Sequence, residues 1–308
     1  MIFLELFFML LVILVSAEIF TNALEHLGEK LKISEGVTGS IFAAIGTALP
    51  ETLVPLLALL SSHGDKETNH QVGVGAILGA PLMLSTLTMF IMAISVIGHR
   101  GLGGHLKPEK TGLIRDLDFF IFSFIFAGIA LFIPHTSELA RGLIAFLMVF
   151  SYFIYILMTI RASKKLVSEG HSTEASNPMF MERIGLPNNY LIISIQLLIG
   201  LALLIFGAKG FISGIEETSS ILGISALILS MLIIPIATEL PEKVNSIFWI
   251  RKGKDTLAFG NITGAMVFQG TLLPAIGILL TPWEPRKEVY LCIFINIRDN
   301  IALTIFVL

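Results

Sequence analysis

Apolar residues along this chain gather into nine runs of membrane length, at about 2–22, 37–60, 72–97, 117–133, 139–160, 190–211, 222–250, 257–280 and 289–308, with short polar stretches between them. A helix needs about 20 apolar residues to cross a bilayer core, so each run predicts a transmembrane helix. Polar positions inside the runs are few, and two groups of them repeat. Gly46-Thr47-Ala48-Leu49-Pro50-Glu51 and Ala237-Thr238-Glu239-Leu240-Pro241-Glu242 stand about 190 residues apart. Each copy of T-x-L-P-E sets a carboxylate at bilayer depth beside a proline.

A charge at that depth costs roughly 2.5–3.5 kcal/mol or more when unpaired, which makes an intramembrane glutamate a functional position by default. Proline removes a backbone donor and breaks the helix, and a membrane tolerates this only where the freed groups face protein or a polar cavity. Glu51 and Glu242 are therefore expected to share one midplane site, with carboxylates on the order of 4–7 Å apart around a common ion. The repeat continues downstream. The stretches from Gly75 to Leu84 and from Gly260 to Gln269 share register, and their pairs Gly75/Gly79 and Gly260/Gly264 suit close helix packing.

Composition agrees with a polytopic membrane protein: 55% of the 308 residues are hydrophobic and 14% charged, against about 25% charged in ordinary soluble domains. Nothing points to a nucleic-acid surface. Cys292 is the single cysteine, which excludes an intrachain disulfide and a cysteine-rich metal site. No Lys or Arg precedes the first apolar run, so it reads as a retained helix rather than a signal peptide. Neither G-x-S-x-G, H-E-x-x-H nor a paired intramembrane aspartate motif occurs, so the chain is not read as an enzyme. Thirteen loop Lys and Arg residues follow odd spans and five follow even ones, which predicts an N-terminus outside and the segment 163–189 in the cytoplasm.

Five spans precede that segment. Five is odd, so the second half starts on the opposite side of the membrane and the two T-x-L-P-E copies run antiparallel. The expected fold is an all-α polytopic membrane protein of two inverted-topology repeats with broken helices at the midplane. Its parts are a first half at 1–162, a linker at 163–189 too short for a large soluble domain, and a second half at 190–308. Nine spans are readable and a tenth is unclear, because one apolar stretch follows Leu280 and Arg298-Asp299-Asn300 interrupts it.

Two halves, each with a [G/A]-T-x-L-P-E helix followed by a G-x-x-x-G helix, resemble the cation/calcium antiporter superfamily of sodium/calcium and proton/calcium exchangers. The family's paired alpha repeats correspond to residues 37–86 and 223–271. The resemblance implies a secondary active antiporter exchanging Ca²⁺ for H⁺ or Na⁺ by alternating access, the first and sixth spans moving against the rest. It also implies Glu51 and Glu242 as principal Ca²⁺ ligands, with Thr47 and Thr238 offering oxygens at the breaks. Ca²⁺ takes six to eight oxygens in flexible geometry, and the two glutamates, the threonine-centred breaks and Gln269 supply such a set. Partners are then Ca²⁺, a counter-ion and the lipid bilayer, with no resident cofactor; the plasma (inner) membrane is the expected location, and the oligomeric state is left open.

The chain departs from the family's usual G-T-S-L-P-E and G-N-x-x-G-S-N. Ala48, Glu239, Ala80 and Ala265 stand where serines are common, Ala76 where Asn is usual, and Leu84 and Gln269 where Asn or Asp is frequent. The lost side-chain oxygens favour proton over sodium coupling. Glu239 is read either as a third cavity carboxylate, a metal or proton ligand, or as a neutralising partner of Lys243 at i,i+4. Glu18, Asn22, Gln196 and Asn245 read as interhelical or interfacial groups, Asn245 being the best supporting residue for Glu242. A carrier of another cation with the same fold, and a non-transporting scaffold with a degenerate first repeat, are the alternative readings.

Overall fold

The computed structural model describes residues 2–30, 49–61, 65–101, 103–167, 178–251, 253 and 255–307, and among these every regular element is helical. α1 (Ile2–Lys30) comes first, then α2 (Leu49–Leu60). α3 (Lys66–Met83), a π-helical turn (Leu84–Thr88) and α4 (Met89–Arg100) follow as one stretch, then α5 (Lys110–Ala130) and α6 (Glu138–Val167). A single turn, α7 (Phe180–Arg183), leads into α8 (Tyr190–Leu222), α9 (Ala226–Thr238), α10 (Leu240–Arg251), α11 (Asp255–Leu280) and α12 (Lys287–Val307).

Polar side chains set several of these starts. Asn189 accepts from the Ile192 N–H, Ser225 from Ile228 and Asp65 from Thr68, each filling a donor left open by the first turn. The N–H and hydroxyl of Thr68 hold the Asp65 carboxyl below its ordinary range.

Among the described residues, five stretches are long and apolar enough to cross a membrane: Ile2–Leu24, Lys66–Arg100, Glu138–Thr159, Tyr190–Leu222 and Ala258–Leu280. Glu51–Leu60 and Ala226–Ile236 are shorter apolar helices. Phe3, Phe7 and Phe8 on α1 and Phe146, Phe150 and Phe153 on α6 are exposed, an apolar surface that suits lipid and not water.

Three sequence expectations change. α12 passes through Arg298-Asp299-Asn300 unbroken, because Arg298 pairs with Asp299 at 2.6 Å and Asn300 donates back to the Asn296 carbonyl at 2.7 Å. α8 continues to Leu222, so Lys209, counted as a loop charge, is helical. α6 continues to Val167 and α7 lies within 163–189, so the expected linker is partly helix.

α1 and α8 run antiparallel along a stripe of glycines. A methyl group at Gly200 would meet Phe20, at Gly207 Val12 and Ile13, and at Gly214 Leu6. Two of the three apolar clusters among the described residues are large. One gathers Leu6, Ile13, Val54, Leu204 and Phe211 from α1, α2 and α8; the other gathers Phe120, Phe124, Met148, Met266 and Ile278 from α5, α6 and α11. α3 and α9 contribute to both, Val72 and Ala226 to the first and Leu78 and Leu227 to the second. These two helices approach closely: a methyl at Gly75 would lie 2.5 Å from the Leu227 carbonyl oxygen, and one at Gly79 would strike the Met231 backbone.

Candidate cation site

The second T-x-L-P-E copy sits at the break between α9 and α10. Pro235 lies inside α9 and has no N–H for the Met231 carbonyl, so that oxygen lacks its helical donor. Glu239 leaves helical geometry at φ −95°, ψ 9°. α10 restarts at Leu240 with proline in its first turn, where the missing N–H removes no helical bond. α2 is described from Leu49 and places Pro50 and Glu51 in its first turn, as α10 places Pro241 and Glu242.

Glu51 is buried, 4% exposed, in the first described turn of α2. Thr238 is buried and its hydroxyl donates to the Ile234 carbonyl at 3.2 Å. Gln269 is buried on α11, and its Oε1 has no hydrogen-bond partner among the described residues. α2 and α9 touch each other and both pack on α3, which also meets α11. The helices carrying Glu51, Thr238, Glu239 and Gln269 thus assemble around α3. Thr47 and the side chains of Glu242 and Asn245 lie outside the described residues.

Glu239 is 0% and Lys243 6% exposed. The ammonium stands 3.6 Å from Glu239 Oε2 and donates to the Pro235 carbonyl at 3.3 Å, so the i,i+4 pair forms across the break. No group of three or more His, Cys, Asp or Glu side chains with metal-holding geometry occurs among the described residues. A cation here would rely on carboxylates from two helices together with neutral oxygens.

Asn22 and Gln196 are interhelical groups: Gln196 donates to Asn22 Oδ1 and to the Ile19 carbonyl, both at 3.0 Å, tying α8 to α1. Other polar contacts escaped the sequence reading. Buried Asp116 on α5 accepts from Thr263 of α11 at 2.7 Å and from Arg115 at 3.1 Å. Arg141, counted as a loop charge, is buried and donates to the carbonyls of Ile278, Thr281 and Pro282 at one end of α11. At the other end Asp255 receives Arg100 at 2.5 and 2.8 Å and the Lys107 N–H at 2.8 Å. The Arg100 hydrogen bond above all holds the Asp255 carboxyl below its ordinary value. Only an acid or base beside an apolar run hinted at these contacts.

Residues 1–161 and 192–308 match the family model of the sodium/calcium exchanger protein. The chain belongs to the sodium/calcium exchanger family. It is an integral membrane protein, in keeping with its apolar helices. It is similar to the inner membrane protein YrbG of Escherichia coli (strain K12), 26% identical over 275 residues that make up 89% of this chain and 78% of that one. It is also similar to the putative antiporter CaxA of Alkalimonas amylolytica, 26% identical over 276 residues, 89% of this chain and 79% of that one. The H⁺/Ca²⁺ exchanger CAX shares its fold at TM-score 0.74 with 17% identity, across 98% of this chain and 75% of that one. The sodium-calcium exchanger NCX_Mj does so at TM-score 0.55 with 18% identity, across 100% and 91%. At such identities the likeness establishes the exchanger fold.

Proposed function

We propose that this protein is a secondary active antiporter that exchanges Ca²⁺ for H⁺. Glu51 and Glu242 are the principal ligands, with oxygens of Thr47, Thr238 and Gln269 completing the shell. The observation that carries this reading is the buried Glu51 carboxylate on a helix repeating the T-x-L-P-E phrase of the broken α9/α10 pair. A duplicated broken helix bearing an acid is how secondary transporters build a midplane site, and the freed carbonyls add ligands. The two halves are inverted repeats, supported by α1 and α8, the first helix of each half, running antiparallel. α1 and α8 move against the rest to alternate access, held to each other along the glycine stripe. The N-terminus faces outward and 163–189 the cytoplasm of a plasma (inner) membrane, following the loop charges.

Proton coupling is favoured over sodium because Ala48, Ala80 and Ala265 offer no side-chain oxygens for a tight sodium cage, whereas a carboxylate alone carries a proton. The test is ⁴⁵Ca flux in proteoliposomes under a pH gradient and, separately, under a sodium gradient at equal pH. The pH gradient is expected to drive the larger flux; robust sodium-driven flux at equal pH would reverse the choice of coupling ion.

A further inference from the structure

We propose that the Lys243 ammonium is a tethered monovalent cation. It fills, at the α9/α10 break, a position that a free sodium or potassium ion would otherwise occupy, and so removes that ion from the exchange cycle. The proposal rests on the antiporter reading for its transport consequence, and on geometry for the site.

Three features of that geometry converge. The ammonium lies at 3.3 Å on the Pro235 carbonyl, which also accepts the Glu239 N–H at 3.2 Å, at the C-terminal end of α9, where the dipole favours positive charge. Half-helix C-termini and unwound carbonyls are also where transporters coordinate monovalent ions. The second neighbour is the Glu239 carboxylate at 3.6 Å, so the ammonium stands among hard oxygens of the kind sodium takes. Finally, both charges are buried. A buried ion pair adds little stability over an apolar pair of similar volume, so packing alone gives small reason to keep it.

The charge count follows. Glu239 and Lys243 cancel, leaving Glu51 and Glu242 with two negative charges, matched by one divalent ion or by two protons. A separate monovalent ion has neither a charge to neutralise nor the break carbonyl to bind.

Lys243→Met leaves Glu239 and the Pro235 carbonyl without their cation. The purified variant is expected to bind Na⁺ or K⁺ there: relative to choline chloride at equal ionic strength, ~100 mM NaCl or KCl should raise its melting temperature by about 4 °C or more. The unsubstituted protein should shift by less than about 1 °C under the same conditions. Ammonium should substitute for the lost side chain, and Glu239→Gln in the Lys243→Met background should abolish the response. Calcium flux by Lys243→Met should become sodium- or potassium-dependent, by roughly tenfold.

A sodium shift in the unsubstituted protein would overturn the proposal. So would a folded Lys243→Met protein indifferent to lithium, sodium, potassium and ammonium, which would make Lys243 a structural counter-charge. If Lys243→Met folds only when one of these ions is supplied, the proposal stands; if it folds with none of them while the double variant folds, the proposal fails. Because melting is read without calcium, a sodium response in Lys243→Met with no calcium flux in any variant would sink the antiporter reading and leave the tethered cation in place.

Discussion

A carboxylate buried inside a helical membrane protein is held against its desolvation by whatever cation it receives. Glu51 is in that position. Glu51→Gln keeps the shape and removes the charge, so the expected outcome is a folded protein whose melting temperature no longer rises with CaCl₂. Asp255 is a different case, a structural carboxylate held below its ordinary value of 3.8 by Arg100. Its stabilisation is complete above the unfolded-state value and is lost as pH falls through the lower folded-state value. Asp255→Asn is expected to lower stability by about 1.5–3 kcal/mol at neutral pH, and melts taken down to about pH 3 should show that difference shrinking. Glu51 and the Glu239–Lys243 pair were legible in the sequence because a charge in an apolar run has few alternatives. Arg141 was not, since counting loop charges treats every arginine as solvated. Asp116 was missed at the edge of a run, where a solvated and a buried acid look alike.

Element boundaries were set by the same chemistry that made them readable. The prolines of T-x-L-P-E predicted a broken helix, and α9 and α10 break at Glu239. The π-helical turn at Leu84–Thr88 had no such marker. The two glycine pairs looked equivalent in sequence, and packing separates them. A methyl at Gly79 would strike the Met231 backbone, while one at Gly260 meets nothing within 4 Å. Gly79→Ala is therefore expected to cost about 1–3 kcal/mol or more. Gly260→Ala should be neutral or gain roughly 0.5–1 kcal/mol from helix propensity. Melting of the two variants in detergent measures the contrast, and equal losses would mean that α3 and α9 do not meet as described.

At the scale of the whole molecule, hydropathy made the helical membrane class plain, while span limits drifted because α1, α6 and α8 run past their apolar runs. Charge runs hid the continuity of α12, where side chains turn back onto their own helix. If two carboxylates exchange one Ca²⁺ for two protons, no net charge moves. An imposed membrane potential of either sign is then expected to change ⁴⁵Ca flux by less than about twofold, where movement of one net charge would feel about 2.3 kcal/mol per 100 mV. The most direct test of the shared carboxylate site is ⁴⁵Ca uptake into proteoliposomes under a pH gradient, comparing the unsubstituted protein with folded Glu51→Gln and Glu242→Gln variants. Uptake by the unsubstituted protein and none by either variant is the expected result; uptake by both variants at the unsubstituted rate would contradict it.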